Sequence, residues 1–175
     1  MNENILITGG FGYIGRHTTI ELLENGYNVI VIDSKKLDEL EEINNKIYSL
    51  TGNKAKLYSM RITNHEDIRI VFEKFAIDIV IHFAGIKSVS EFYLAPIESS
   101  YKEKSLINNL LKVMKEFDVS RIIYPSSILV YSAKNKMPLT EDSSLNNDNP
   151  YSQCKIHIEK ILRKLSSSDK KWNIM

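Results

Sequence analysis

The sequence is poor in the features that mark secreted, membrane-spanning and nucleic-acid-binding proteins. It holds one cysteine, Cys154, which excludes an internal disulfide framework and fits a reducing cytosol. No apolar run reaches the roughly 18 residues of a membrane span, and no signal-peptide pattern precedes the first apolar run. The 23 basic and 22 acidic residues nearly balance and form no long basic run. We therefore expect one cytoplasmic domain over residues 1–175, with neither nucleic acid nor membrane as a partner.

Short apolar runs alternate with helix-like stretches along the chain. The predicted strands cover residues 4–8, 28–32, 56–60, 78–83 and 121–126. The predicted helices cover residues 13–25, 36–50, 65–75, 98–117 and 150–167. Strands buried on both faces and separated by helices favour a parallel sheet covered by helices on both sides. The sequence thus predicts an α/β fold with a doubly wound parallel sheet, and residues 172–175 look like the start of another strand.

The most informative segment is the glycine-rich turn that follows the first predicted strand. Gly9, Gly12 and Gly15 stand three residues apart where a strand passes into a helix, and Asp33 ends the next strand. Such a turn presents backbone N–H groups and a helix N-terminus to a pyrophosphate, and the acid can accept hydrogen bonds from ribose hydroxyls. The alternative is an ordinary glycine-rich turn that Asp33 caps. Strand, glycines, helix and acid together favour a dinucleotide site.

A tyrosine and a lysine four residues apart stand at the start of the last predicted helix. Asn149 can cap this helix and Pro150 suits its first turn, so Tyr151 and Lys155 share one helical face. A phenol is a poor base at neutral pH, but a cation within ~4–6 Å lowers such a pKa by about 1–3 units. Tyr151 could then exchange a proton with a substrate hydroxyl. The alternative is a surface tyrosine and lysine on an amphipathic helix.

Ser127 follows the strand predicted at 121–126 and is the third candidate catalytic residue. Ligands of doubly wound folds bind at the carboxyl ends of strands, and the loop between Ser127 and Tyr151 is long enough to bring the two together. Taken alone, Ser127 would be read as a residue that caps a turn. No His, Cys, Asp or Glu cluster has metal-ligand spacing, so no metal is predicted.

With these pieces in order, the chain resembles the extended short-chain dehydrogenase/reductase superfamily, and within it the UDP-glucose 4-epimerase family. The matching segments are TGGFGYIGRH at residues 8–17, IHFAGIKSV at 81–89, the serines at 126–127, Val-Tyr at 130–131 and NPYSQCK at 149–155. The segment with Lys87 is the most specific to the epimerases. The resemblance implies a Rossmann-type NAD-binding domain over residues 1–175, truncated before the family's C-terminal substrate domain.

The resemblance also implies a reaction and a set of site residues. UDP-glucose and UDP-galactose would interconvert through a transient 4-keto sugar with bound NAD. Tyr151 would take the proton of the sugar 4-hydroxyl, Ser127 would hydrogen-bond the 4-oxygen, and Lys155 would bind nicotinamide ribose hydroxyls. The implied cofactor-binding residues are Gly9, Gly12, Tyr13, Ile14, Gly15, Asp33, Ile62, Phe83, Ala84, Gly85, Lys87, Tyr151 and Lys155. The UDP-sugar would be the partner. A homodimer through the long helix near 98–117 is a hypothesis that a stable monomer in light scattering would reject.

Several positions depart from the family pattern. Arg61 replaces an aspartate that binds the adenine amino group, and an arginine offers donors only. Family asparagines on the long helix become Lys102, Glu103 and Ser105, in a stretch that we expect to be mostly a solvated helix face. These departures keep open a non-catalytic NAD-binding remnant or interaction module. Another NAD-dependent nucleotide-sugar reductase or dehydratase is a further alternative, although Ile128 and Leu129 cannot supply the Asp-Glu pair of a dehydratase.

Overall fold

One six-stranded sheet organises the fold, which a computed structural model describes for residues 3–86, 88–146 and 148–175. The strands are β1 (Asn4–Thr8), β2 (Asn28–Asp33), β3 (Lys56–Ser59), β4 (Ile79–His82), β5 (Arg121–Ile123) and β6 (Asn173–Ile174). All neighbours pair in parallel, in the order β3-β2-β1-β4-β5-β6. The strand order reverses between β1 and β4, as in doubly wound nucleotide-binding sheets. The predicted fold class is confirmed, and so is the last strand.

Helices connect the strands. They are α1 (Tyr13–Glu24), α2 (Leu37–Thr51), α3 (His65–Lys74), α4 (Val89–Leu94), α5 (Pro96–Glu116) and α6 (Pro150–Ser168), with a 3₁₀ turn at Ile128–Val130. Helix α4 was not predicted, because six residues are too few to display a helical period. The strand predicted at 121–126 ends instead at Ile123, since its only ladder partner towards the edge, β6, is two residues long.

The two faces of the sheet are covered by different helices. Leu6, Ile30 and Val80 pack with buried residues of α3, α5 and α6. Ile7 and Val31, on the opposite face, pack with residues of α1 and α2. Successive strand residues point to opposite faces, so strands buried on both sides need the continuous apolar runs seen in the sequence.

Local signals place the helix starts at the carboxyl edge of the sheet. The side chain of Asn149 accepts a hydrogen bond from the backbone N–H of Ser152 at 2.7 Å, which caps α6 as predicted. The side chain of Asn64 caps α3 in the same way, from Asp67 at 2.9 Å. No helix in the described parts of the chain is both long and apolar enough to cross a bilayer.

Candidate functional site

The glycine-rich turn between β1 and α1 leaves no room for side chains. Gly9 has a φ of +69°, and a Cβ there would lie 2.8 Å from the backbone nitrogen of Ala84. A Cβ on Gly15 would lie 2.4 Å from the carbonyl oxygen of Gly9. Gly12 caps α1 without a side chain that could accept its first N–H groups. The turn therefore brings backbone against backbone and leaves the start of the helix open.

The first turn of α1 presents its backbone rather than its side chains. The side chains of Tyr13 and Ile14 are exposed. In the described structure the backbone N–H groups of Tyr13, Ile14 and Gly15 donate to no protein acceptor. Unpaired N–H groups at the positive end of a helix dipole attract an anion. These predicted cofactor residues can thus act together as a phosphate cradle.

Asp33 lies at the end of β2, beside the glycine turn, and is 6% exposed. Its Oδ2 accepts a hydrogen bond from the N–H of Phe11 at 3.1 Å, and its Oδ1 accepts one from the N–H of Lys35 at 3.2 Å. A carboxylate oxygen has more than one acceptor site. Asp33 thus stabilises the glycine turn and can still accept a hydrogen bond from a ligand hydroxyl. The capping and ligand-binding interpretations are therefore compatible.

A cleft of about 730 Å³ opens along the carboxyl edge of the sheet, a size typical of small-molecule sites. Five predicted cofactor residues line it: Gly9, Asp33, Ile62, Ala84 and Gly85. The cleft lies between the ends of β2 and β4, the start of α3 and one side of α5. It therefore joins segments that are far apart in sequence into one binding surface.

Two cationic departures from the family pattern line the same cleft. Arg61 and Lys102 both line it. Arg61 is exposed, and Lys102 forms an exposed ion pair with Glu98 at 2.8 Å. Arg61 thus offers a cationic donor to the cleft where the resemblance leads one to expect a hydrogen-bond acceptor.

Tyr151 and Lys155 share one face of α6, as their spacing predicts. The Nζ of Lys155 lies 5.9 Å from the centroid of the Tyr151 ring, and the half-buried Tyr151 ring packs edge-on against Phe92 at 5.4 Å. The Lys155 ammonium is close enough to stabilise negative charge that develops on the phenol. The structure therefore brings the two side chains together on the helical face that the sequence predicts.

Two partners of Lys155 were not predicted as site residues. Its Nζ donates to the hydroxyl of Tyr124 at 2.9 Å and to Oε1 of Glu103 at 3.2 Å. Glu103 is 4% exposed, so the expectation of a solvated helix face is wrong at this position. Glu103 stands four residues from both Ser99 and Ile107, which are buried. This spacing of four residues indicates a buried position on the helix. The charge of Glu103 led instead to the prediction of an exposed position.

The pKa values of this cluster follow from burial and charge. Burial raises the pKa of Tyr124 to about 12, so its hydroxyl is neutral at pH 7. Burial opposes the charge of Lys155, but Tyr124 and Glu103 outweigh it, and the pKa of Lys155 lies above its usual value. Burial also raises the pKa of the Cys154 thiol, which makes this cysteine unreactive.

Ser127 lies at the start of the 3₁₀ turn and is tied to α6 indirectly. Its Oγ accepts a hydrogen bond from the N–H of Leu129 at 3.2 Å. The hydroxyl of Ser152, in the first turn of α6, donates to the carbonyl of Leu129 at 2.6 Å. The turn that begins at Ser127 is therefore held against the helix turn that carries Tyr151.

His82, at the end of β4, is buried beneath the site. Its Nδ1 lies 2.7 Å from the hydroxyl of Thr8, and its ring stacks on Tyr124 with centroids 6.0 Å apart. Burial first, and then the charge of Lys155, lowers the pKa of His82 to about 3. His82 is thus a neutral, hydrogen-bonded core histidine at pH 7.

Acidification should destabilise the fold through His82. The unfolded histidine takes a proton below a pH of about 6.5, whereas native His82 stays neutral down to a pH of about 3. Its contribution to stability is therefore complete above pH 6.5 and declines as the pH falls. Between pH 7.5 and 5.0 we expect it to lower the free energy of unfolding by about 2 kcal/mol.

Urea unfolding at the two pH values measures this effect. His82→Asn keeps a polar partner for Thr8 but cannot titrate, so the variant should lose that part of the pH dependence. If the wild type and His82→Asn lost equal stability between the two pH values, the protons would be taken up by groups other than His82.

The structure brings most of the predicted site residues to one edge of the sheet, in two adjoining groups. The glycine turn and main cleft form one group, and Ser127, Tyr151 and Lys155 form the other. Phe83 packs with the core on the α1 and α2 face, and its backbone N–H donates to Thr8 at 2.9 Å. Lys87 lies outside the described residues. Within residues 3–86, 88–146 and 148–175, no three His, Cys, Asp or Glu side chains are arranged to hold a metal ion.

Comparisons with known proteins agree with this geometry. The model of the NAD dependent epimerase/dehydratase family matches residues 5–175. The chain is 36% identical over 170 residues to the UDP-glucose 4-epimerase of Bacillus subtilis, covering 97% of this chain and 50% of that protein. It is 36% identical over 179 residues to the human UDP-glucose 4-epimerase, covering 99% and 51%.

A solved structure gives the same result. The UDP-glucose 4-epimerase of Bifidobacterium longum, in complex with NAD+ and UDP, matches with a TM-score of 0.90 and 38% identity, covering 98% of this chain and 51% of that chain. The chain spans about half the length of the curated relatives it matches. The predicted resemblance to the UDP-glucose 4-epimerases is confirmed, and the chain belongs to the NAD dependent epimerase/dehydratase family.

Proposed function

We propose that residues 1–175 form an NAD-binding domain that carries the proton-transfer residues of a UDP-glucose 4-epimerase. The observation that supports this most directly is the glycine turn, where backbone atoms occupy the space that any side chain would need. The open N–H groups of α1 would hold the pyrophosphate, and Asp33 would accept a ribose hydroxyl. The residues present therefore fit NAD, apart from Arg61 in the cleft.

The reaction assigned to the second group of residues is proton exchange at a sugar hydroxyl. Tyr151 would take the proton from the 4-hydroxyl of a UDP-sugar, with Lys155 stabilising the negative charge on the phenol. Ser127 would hydrogen-bond the 4-oxygen. When bound, NAD supplies a reversible hydride acceptor, so the reaction has no net redox change.

Two measurements on the purified protein test the proposal. Native mass spectrometry and calorimetry should find one NAD per chain. UDP-galactose formation from UDP-glucose should fall by about 10²- to 10⁴-fold in Tyr151→Phe, because the variant lacks the exchanging proton. NAD binding should survive that substitution. Absence of NAD binding would contradict the cofactor site, and turnover equal to that of Tyr151→Phe would contradict the catalytic assignment alone.

A second candidate function is a non-catalytic nucleotide-binding module. Arg61 in the main cleft favours it, because a guanidinium cannot accept the hydrogen bond of an adenine amino group. In that case NAD would bind weakly and no UDP-sugar would turn over. A dehydratase is disfavoured, because the residues after Ser127 are the apolar, exposed Ile128 and Leu129 and not an acidic pair.

Dimerisation through the long helix α5 stays a prediction, as does a cytoplasmic location. A groove of about 430 Å³ lies between α5 and α6, and Lys112, Lys115 and Lys164 line it. In a two-fold contact each patch would meet its own copy, so these like charges would oppose each other at low salt.

A further inference from the structure

Glu103 is a buried carboxylate that joins two parts of the site. Its Oε2 accepts a hydrogen bond from the N–H of Ile86 at 2.9 Å, in the loop after β4. Its Oε1 accepts one from the Nζ of Lys155 at 3.2 Å, on α6. A buried charge persists only when it is paired and hydrogen-bonded. Both oxygens of Glu103 meet that condition, so the residue links the cleft loop to the helix of Tyr151.

The loop that Glu103 binds approaches it closely. A Cβ on Gly85 would lie 2.6 Å from Oε1 and 2.7 Å from Oε2 of Glu103. Gly85 and Ile86 also line the main cleft. The carboxylate thus lies directly behind the surface on which a dinucleotide would rest.

Lys155 has one more donor than its protein partners use. A lysine ammonium carries three N–H donors. Glu103 and the neutral hydroxyl of Tyr124 take two of them, and no described residue takes the third. The Lys155 side chain is 12% exposed, so it is not wholly enclosed by the protein. One donor is left for a ligand oxygen.

We propose that Glu103, together with Tyr124, is a positioning residue that holds two N–H donors of Lys155 so that the third meets a ribose hydroxyl of the dinucleotide. This inference rests on the proposed NAD site. Glu103 touches neither substrate nor cofactor and acts through Lys155. It also carries the charge that balances the lysine, so that the ammonium is directed without being left as a lone buried cation.

The groups around the Lys155 ammonium come from four elements. Glu103 faces it from α5, and Tyr124 faces it from the end of β5. Tyr151 lies one helix turn away on α6. His82 on β4 and Cys154 on α6 are close enough for the charge of Lys155 to influence their pKa values. Glu103 is the one carboxylate among these groups, so its removal takes away the negative charge that pairs with Lys155.

The test compares Glu103→Gln with Glu42→Gln, which removes an exposed ion pair with Lys46 on α2, outside the cleft. Competitive labelling with acetic anhydride, read out by peptide mass spectrometry, gives the pH at which half of Lys155 reacts. We expect this midpoint to fall by about one to three pH units in Glu103→Gln and to stay unchanged in Glu42→Gln. Calorimetry should show NAD binding weakened by about 10- to 100-fold in Glu103→Gln alone.

Tyr124→Phe is the second variant, used if Glu103→Gln does not fold. It keeps the ring and removes only the hydroxyl, so it should weaken NAD binding by about 5- to 10-fold. An unchanged Lys155 midpoint in Glu103→Gln, or unchanged NAD affinity in both variants, would overturn the inference. If the wild type binds no NAD, the proposed function fails instead, and the labelling midpoint still reports whether Glu103 holds Lys155.

Discussion

Gly15→Ala should abolish measurable NAD binding, with at least a 100-fold loss of affinity, and destabilise the fold by about 1–3 kcal/mol. The new Cβ would lie 2.4 Å from the carbonyl oxygen of Gly9 and 2.8 Å from the Cα of Gly10. These are backbone atoms, which cannot move aside as the end of a flexible side chain can. The turn would have to open, and the N–H groups at the start of α1 would lose their alignment. Calorimetry with NAD and urea unfolding measure the two effects.

Gly52→Ala is the matched control. Gly52 also has a positive φ, of +71°, but a Cβ there would meet nothing within 4 Å, and it ends α2. This variant should cost about 1 kcal/mol through backbone strain and leave NAD affinity unchanged. Wild-type NAD affinity in Gly15→Ala would contradict the assignment of the glycine turn as the phosphate cradle.

Lys155→Met should destabilise the protein by about 3–5 kcal/mol, because it leaves Glu103 as a buried charge without a counter-ion. Methionine fills much of the volume of the lysine stem, so lost packing contributes little. Urea unfolding with linear extrapolation measures the change. Lys102→Met is the control for loss of a lysine from an ion pair. Its pair with Glu98 is exposed on both sides, and the expected cost is below about 1 kcal/mol.

The double variant Lys155→Met with Glu103→Gln separates pairing from packing. A glutamine at 103 still offers an oxygen to the N–H of Ile86 but carries no charge, so the double variant should recover about half of the lost stability. Strictly additive losses would mean that the two residues are not coupled. That result would contradict the assignment of Glu103 and Lys155 as one buried unit.

Much of the fold was predictable because its signals are local. The apolar runs of β1, β2 and β4 are buried on both faces, as parallel strands require. Asn149 and Pro150 mark the start of α6 to the residue. The six-residue helix α4 and the early end of β5 were missed, because both depend on neighbours in space rather than on a repeating pattern.

The residues of the candidate site could be predicted where they belong to a short sequence motif. The residues outside such motifs could not. The backbone conformation alone determines the geometry of two pairs of residues. These are Gly9 and Gly15 in the turn, and Tyr151 and Lys155 on one helical face. Glu103 was missed because its charge indicated solvent, although its spacing placed it among buried positions. Tyr124 was missed because a tyrosine at the end of a strand is common, and only the fold brings its hydroxyl beside Lys155.

The sequence by itself determined the type of fold, the glycine turn and the helical face shared by Tyr151 and Lys155, because each depends on residues within a few turns of chain. Only the tertiary structure decided what surrounds Lys155. Its two partners lie 52 and 31 residues away in the chain, on different elements. They meet because parallel strands bring their carboxyl ends to one edge of the sheet and α5 packs beside α6 above it. Burial there removes the competing water, so that Glu103 and Lys155 must pair with each other.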